Sequence, residues 1–307
     1  MIKHILVTLD GSKLSEQILP CVAALAKGLG AQVTLTHVVN SKALPDTDEL
    51  SHRAFLDQLV EHEELRARAY LQRVATLFTD QGVATTTDVY VGEPAETLIQ
   101  HAEKEHFDLI ATSTHGRAGL ARVVMGSVAD KILRSTAKPL LLYRPVDELT
   151  PAFASLKSLV IPLDGSDFSE QALPLAVELA QALHLTLMPI RTIPTASFAF
   201  TEPYPLGGTD LSAQLLESAE QDAGSYLDRR FGSYKAQGMA VEPMVAIGEP
   251  ATKIIDLAAG SPGSLIVMAS HGRSGVGRFV LGSVADRVVR TSGAPVLLVR
   301  ARAVDSQ

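Results

Sequence analysis

Residues 115–130, HGRAGLARVVMGSVAD, return at 271–286 as HGRSGVGRFVLGSVAD. In each copy a glycine is followed, after nine intervening residues, by Gly-Ser and a helix-forming run: Gly116 with Gly126 and Ser127, then Gly272 with Gly282 and Ser283. Glycines let backbone amides close on an anion. A helix opening at Ser127 or Ser283 also offers free amides, the positive end of its dipole and a hydroxyl, which together suit a phosphate. The structural alternative is a serine N-cap behind a turn glycine. Two carboxylates complete the pattern, Asp10 in TLDGS and Asp164 in PLDGS, each closing a short apolar run. A carboxylate so placed accepts hydrogen bonds from a ribose or a base, or else caps the helix that follows.

These residues need elements to hold them. In the first half, IKHILVTL, AQVTLTHVV, ATTTDVYV, FDLIATST and PLLLYRP read as strands. Helical patterns lie between them over about Leu14–Leu29, Arg53–Gln81, Ala95–Lys104 and Ser127–Ser135. Five strands alternating with four helices predict a doubly wound parallel sheet. The second half repeats the order with SLVIPLDGS, LHLTLMPI, MAVEPMVAIGEP, SLIVMASHG and APVLLVR. The chain therefore reads as α/β, with two tandem five-stranded parallel-sheet domains over 1–146 and 156–302, joined within the Pro- and charge-bearing stretch Pro145–Lys157. In such sheets ligands lie beyond the carboxyl ends of the strands, where the motifs fall. The copies differ most after their second strands. The longer second insert, Ile193–Ser212, is placed to cover a site or to be a plain surface loop.

Composition narrows the partners. A net charge of −7, without basic runs interleaved with aromatics, argues against nucleic acid. No apolar run is long enough to span a bilayer or serve as a signal peptide, so the cytoplasm is the expected location. The single cysteine, Cys21, falls among Ile18, Leu19, Val22 and Leu25 at helical spacing and reads as buried. His115 and His271 have no acid or nucleophile tied to them by spacing and read as turn residues. Arg117, Arg122, Arg273 and Arg278 are loop cations, either solvated or facing phosphate.

The loop is neither G-x4-G-K-[ST] nor the G-x-G-x-x-G dinucleotide turn. Its pattern is a strand ending (S/A)-x2-G-x9-G-S with V-A-D behind it, an acid after strand one, and Gly-Glu-Pro after strand three at Gly92–Pro94 and Gly248–Pro250. This resembles the universal stress protein family, over nearly all of both halves. The resemblance implies ATP, alone or as its Mg complex, with Gly116, Gly126 and Ser127 and their counterparts Gly272, Gly282 and Ser283 at the phosphates. Val128 and Val284 would add helix-start amides. Asp10 and Asp164 would lie near the adenosine, and Val38 and Ile190 would meet the adenine edge through their backbone. It further implies pairing of the fifth strands, within the chain or between copies; with no positioned base, loop lysine or acidic metal cradle in the sequence, any hydrolysis is expected to be slow. The first glycine of the family motif is Ser113 in one copy and Ala269 in the other, where neither side chain relieves a positive φ as glycine does. Arg191 follows Ile190, whereas Val39 follows Val38, so the two sites need not be alike. An ATP-dependent ligase or adenylyl transferase would be expected to show S-G-G-x-D-S or H-x-G-H, and the chain has TLDGSK and PLDGSD instead. A dimerisation module that no longer holds nucleotide is the remaining alternative.

Overall fold

The computed structural model describes residues 2–40, 50–114, 125–145, 155–194, 208–271, 273–274, 278–279 and 281–301. The chain divides into two compact units, Met1–Ser155 with Arg273–Val280, and Leu156–Gly272 with Leu281–Gln307.

The first unit runs β1 (His4–Thr8), α1 (Lys13–Glu16), α2 (Leu19–Leu29), β2 (Gln32–Asn40), α3 (Leu50–Thr79), β3 (Thr85–Gly92), α4 (Pro94–Lys104), β4 (Leu109–Ser113), α5 (Ser127–Ser135) and β5 (Leu140–Tyr143). Its strands are parallel in the order β3-β2-β1-β4-β5. The central strands carry continuous apolar runs because helices cover both faces of such a sheet. Ile5, Leu6, Val7, Leu109, Ile110 and Leu141 are all buried.

The second unit runs β6 (Ser158–Pro162), α6 (Asp167–Glu170), α7 (Leu173–Leu183), β7 (Thr186–Ile193), α8 (Gly208–Ala236), β8 (Met244–Ile247), α9 (Pro250–Gly260) and β9 (Ser264–His271). After β9 the chain forms a short antiparallel pair, β10 (Arg273–Ser274) and β11 (Arg278–Phe279), which groups with the first unit, and the second unit then resumes with α10 (Ser283–Thr291) and β12 (Val296–Ala301). Its parallel order is β8-β7-β6-β9-β12. Within each unit the winding reverses after the central strand, at β1/β4 and at β6/β9, which opens the crevice where such sheets take ligands.

Two expectations are corrected. The helix expected over Leu14–Leu29 is two helices, since α1 ends at Glu16 and α2 starts at Leu19. Pro20 lacks an N–H, and its ring collides with the carbonyl four residues back, at Glu16. Pro174 divides α6 from α7 in the same way, with α6 ending at Glu170. The third strand of the second half is also shorter than its sequence implies. Only Met244–Ile247 joins the ladder, with an isolated bridge from Val241 to Leu187, because Pro243 cannot donate to it. No helix among the described residues is long and apolar enough to cross a membrane.

Candidate functional site

Each unit has a cavity at its reversal point. In the first it measures about 370 Å³ and is lined by Asp10, Val38, Ser113, Gly126, Ser127 and Val128, which the sequence marks, together with Thr8, Thr36, Asn40 and Thr112, which it does not. In the second it measures about 820 Å³ and takes in Asp164, Ile190, Ala269, Gly282, Ser283 and Val284, with Pro162, Phe168, Arg191, Thr192, Asp222 and Met268 added. Gly116, Gly272, His115, Arg117 and Arg122, and most of the insert after Ile193, lie outside the described residues.

The DGS turns are built alike. Asp10 Oδ1 accepts from the amide of Ser12 at 2.9 Å and from its hydroxyl at 2.6 Å. Ser12 Oγ in turn accepts from the Ser15 amide at 3.1 Å. Asp164, Ser166 and Ser169 repeat this with the same three distances, 2.9, 2.6 and 3.1 Å. The serine, not the aspartate, is therefore the helix N-cap, and the aspartate holds the capping serine in place. Glycine is required between them, because Gly11 and Gly165 have φ of +82° and +86°.

At the other wall the capping assignment shifts by one residue. Gly126 and Gly282 are the N-caps of α5 and α10, in extended conformation and with no side-chain capping bond. Ser127 and Ser283 stand at the first helical position, exposed, instead of capping. Each helix thus opens on its cavity with first-turn amides that no side chain caps, the condition under which a helix start attracts an anion. Gly126 also binds back to the strand end, its amide donating to Thr114 O at 2.8 Å. Ser113 and Ala269 sit in regular parallel ladders, opposite Tyr143 and Val299. Among the described residues only His106 and His184 have positive φ without being glycine, so neither replacement strains the backbone.

Strand register revises the adenine-edge assignment. The Leu9 amide donates to Thr36 O, and the Leu163 amide donates to Ile190 O, both at 2.9 Å. Ile190 therefore matches Thr36, and the counterpart of Val38 is Thr192. By the same shift Arg191 matches His37, not Val39. His37 Nδ1 lies 2.9 Å from Leu9 O and its ring stands edge-on to Tyr70 at 6.4 Å. The Arg191 guanidinium lies 4.6 Å over the ring of Tyr226, whose hydroxyl donates to Glu170 Oε1 at 2.8 Å. Glu170 is also paired with Arg230.

The Gly-Glu-Pro segments orient the walls. Glu93 caps α4 through the Glu96 amide at 2.9 Å, and Lys131 of α5 reaches Glu93 at 3.3 Å and Glu96 at 2.8 Å. Glu249 caps α9 through the amides of Ala251 and Thr252 and pairs with Arg287 of α10 at 3.2 Å. Each glutamate so ties the helix before the fourth strand to the helix whose start faces the cavity. The proline behind it, Pro94 or Pro250, lines that cavity.

One cluster outside the cavities gathers groups able to ligate a metal: Asp88, His101 and Glu105. His101 is buried; its Nε2 lies 3.6 Å from Asp88 Oδ2 and its Nδ1 3.8 Å from Glu105 Oε1, with the Tyr90 hydroxyl 2.9 Å from Nδ1. The carboxylates approach different nitrogens of one ring. That arrangement holds the imidazole and pins β3 to α4, instead of collecting three ligands on one ion.

The sequence profile of the Universal stress protein family matches residues 1–144 and again residues 155–300. The chain belongs to the universal stress protein family. A universal stress protein of Mycobacterium tuberculosis is 24% identical over 305 residues, covering 96% of both chains. One of Synechocystis sp. is 24% identical over 315 residues, covering 97% of this chain and 100% of the other. The crystal structure of a universal stress protein from Archaeoglobus fulgidus matches with a TM-score of 0.67 at 19% identity, covering 97% of this chain and 98% of that one. The universal stress protein fold, an α/β parallel sheet written twice, is thus shared with relatives of full length.

Proposed function

We propose that this universal stress protein is an ATP-binding module that acts through nucleotide-dependent conformation or partner binding. The observation that carries the reading is the start of α5 and of α10, where a glycine cap leaves first-turn amides facing a cavity at the sheet's reversal point. Phosphates would rest on the amides of Ser127 and Val128 or of Ser283 and Val284, aided by the exposed serine hydroxyls. The adenosine would lie toward the strand ends and the Asp10 or Asp164 turn. Bound Mg would neutralise part of the phosphate charge. The family resemblance supplies the choice of ATP among phosphate ligands.

Released small molecules from denatured protein, analysed by mass spectrometry, and calorimetry with added ATP test the reading. Adenine nucleotide in the released fraction, or saturable ATP binding, is the expected result. Protein that releases none and takes up none overturns it.

A further inference from the structure

The two cavities share their walls but not their floors. Where β1, β2 and β4 end, the first unit presents Thr8, Thr36 and Thr112. At the matching ends of β6, β7 and β9 the second presents Pro162, Ile190 and Met268. The equivalence follows from the ladders, in which Thr8 stands opposite Thr36 and Thr112 while Pro162 stands opposite Ile190.

From these floors we infer that the second unit is the chain's purine site, one nucleotide per chain, and that the first unit does not seat the base; the inference rests on the nucleotide reading above. A purine face is flat and apolar and gains by displacing water from an apolar floor. Pro162 provides that surface, backed by Ile190 at 1% exposure, and the flexible thioether of Met268 can mould to a ring. The threonine floor has the opposite chemistry. Thr8 Oγ1 donates to Thr112 Oγ1 at 2.8 Å, and Thr112 Oγ1 donates on to Ser113 O at 3.3 Å. Such a floor sets hydroxyl oxygens whose hydrogens are already spent against the face of a base, which offers them no hydrogen bond in return. Size points the same way, since about 370 Å³ lies near the lower end of ligand pockets and about 820 Å³ toward the upper. The second cavity is also lined by Arg191, whose guanidinium lies over the Tyr226 ring, a donor where the first unit has His37 turned to the backbone.

Native mass spectrometry and calorimetry of the full chain with ATP give the stoichiometry, and photolabelling with an azido-adenine analogue of ATP, followed by peptide mapping, locates the base without any substitution. One ATP per chain, with label confined to peptides beyond residue 155, is the expected result. Replacing the floor with hydroxyls, Ile190→Thr with Met268→Thr, should weaken ATP at least about tenfold while inorganic triphosphate binding changes little. Two equivalent ATP molecules per chain, or label in the first unit, overturns the inference while leaving the nucleotide reading intact. Failure to bind ATP at all overturns that reading and this inference with it.

Discussion

Asp164 Oδ1 accepts two hydrogen bonds from Ser166, from its amide at 2.9 Å and from its hydroxyl at 2.6 Å. Burial by itself raises the Asp164 carboxyl. The bonds from Ser166, with others from Ser169 and its own backbone, outweigh burial and hold the group below its ordinary 3.8. A carboxyl depressed in the folded state stabilises fully above its unfolded pKa, and the contribution fades as pH falls through the lower folded value. Ser166→Ala removes one of these bonds and the N-cap of α6. It should raise the Asp164 titration midpoint in carboxyl NMR and cost about 1 kcal/mol at pH 7. That cost should shrink at pH values below the folded midpoint. An unmoved Asp164 midpoint would show that the serine hydroxyl does not govern the carboxylate.

Glycines of opposite structural role should respond to alanine with opposite sign. Gly248 has φ +138°, and a Cβ there would fall 2.8 Å from Lys253 Cε. The lysine tip can move, but the backbone conformation cannot be kept cheaply, so Gly248→Ala should lose about 1–3 kcal/mol. Gly224, inside α8, has nothing within 4 Å of an added Cβ. Gly224→Ala should gain about 0.5–1 kcal/mol, because alanine loses less backbone entropy in a helix. Urea melts of the two variants check both signs, and a destabilised Gly224→Ala would contradict the open space beside Gly224 in α8.

Strand order and tandem repetition were legible because apolar runs, turn residues and the twice-written Gly-Ser motif all act locally. The strand-end threonines and their Pro162, Ile190 and Met268 counterparts were not. Their equivalence depends on ladder register, and a shift of two between the halves makes Thr192, not Ile190, the partner of Val38. Pro20 was visible, yet apolar spacing continues through it and masks the break that its missing N–H enforces. The His101 cluster joins an edge strand to the following helix across 13 residues from Asp88, a pairing that no local spacing rule announces. Gly126 and Ser127 fall at the start of α5, but which of them caps the helix was settled only by backbone geometry.

Glu249 is expected to matter more than its ion pair. Its carboxylate accepts from the Thr252 amide at 2.8 Å and hydroxyl at 2.6 Å and from the Ala251 amide at 3.2 Å. Removing it leaves the first amides of α9 without a side-chain acceptor, whereas removing Arg287 breaks an exposed pair and an exposed 3.3 Å bond to Thr252 Oγ1. Glu249→Ala should cost about 1 kcal/mol, and Arg287→Ala about 0.5 kcal/mol or less. Thermal melts of both variants and the double variant separate cap from ion pair. Equal losses for the two single variants would make the pair, not the cap, the main contribution.

Cys21 tests the core directly. It is wholly buried in α2, and burial pushes its thiol up to about 12, so almost no thiolate exists near neutrality. The thiolate is the reactive form, and reagent access requires the helix to open. Native protein at pH 8 should therefore fail to react with an aromatic disulfide reagent over the time in which a free thiol is consumed, and should react stoichiometrically in denaturant. Intermediate urea should give a rate set by the population of open molecules, which makes this one thiol a reporter of the first unit's stability. If ATP binds only the second unit, saturating nucleotide should leave the Cys21 rate close to that of the free protein while protecting backbone amides of α10 from exchange. Equal protection of Cys21 and of α10 would instead mean that the nucleotide stabilises both units together.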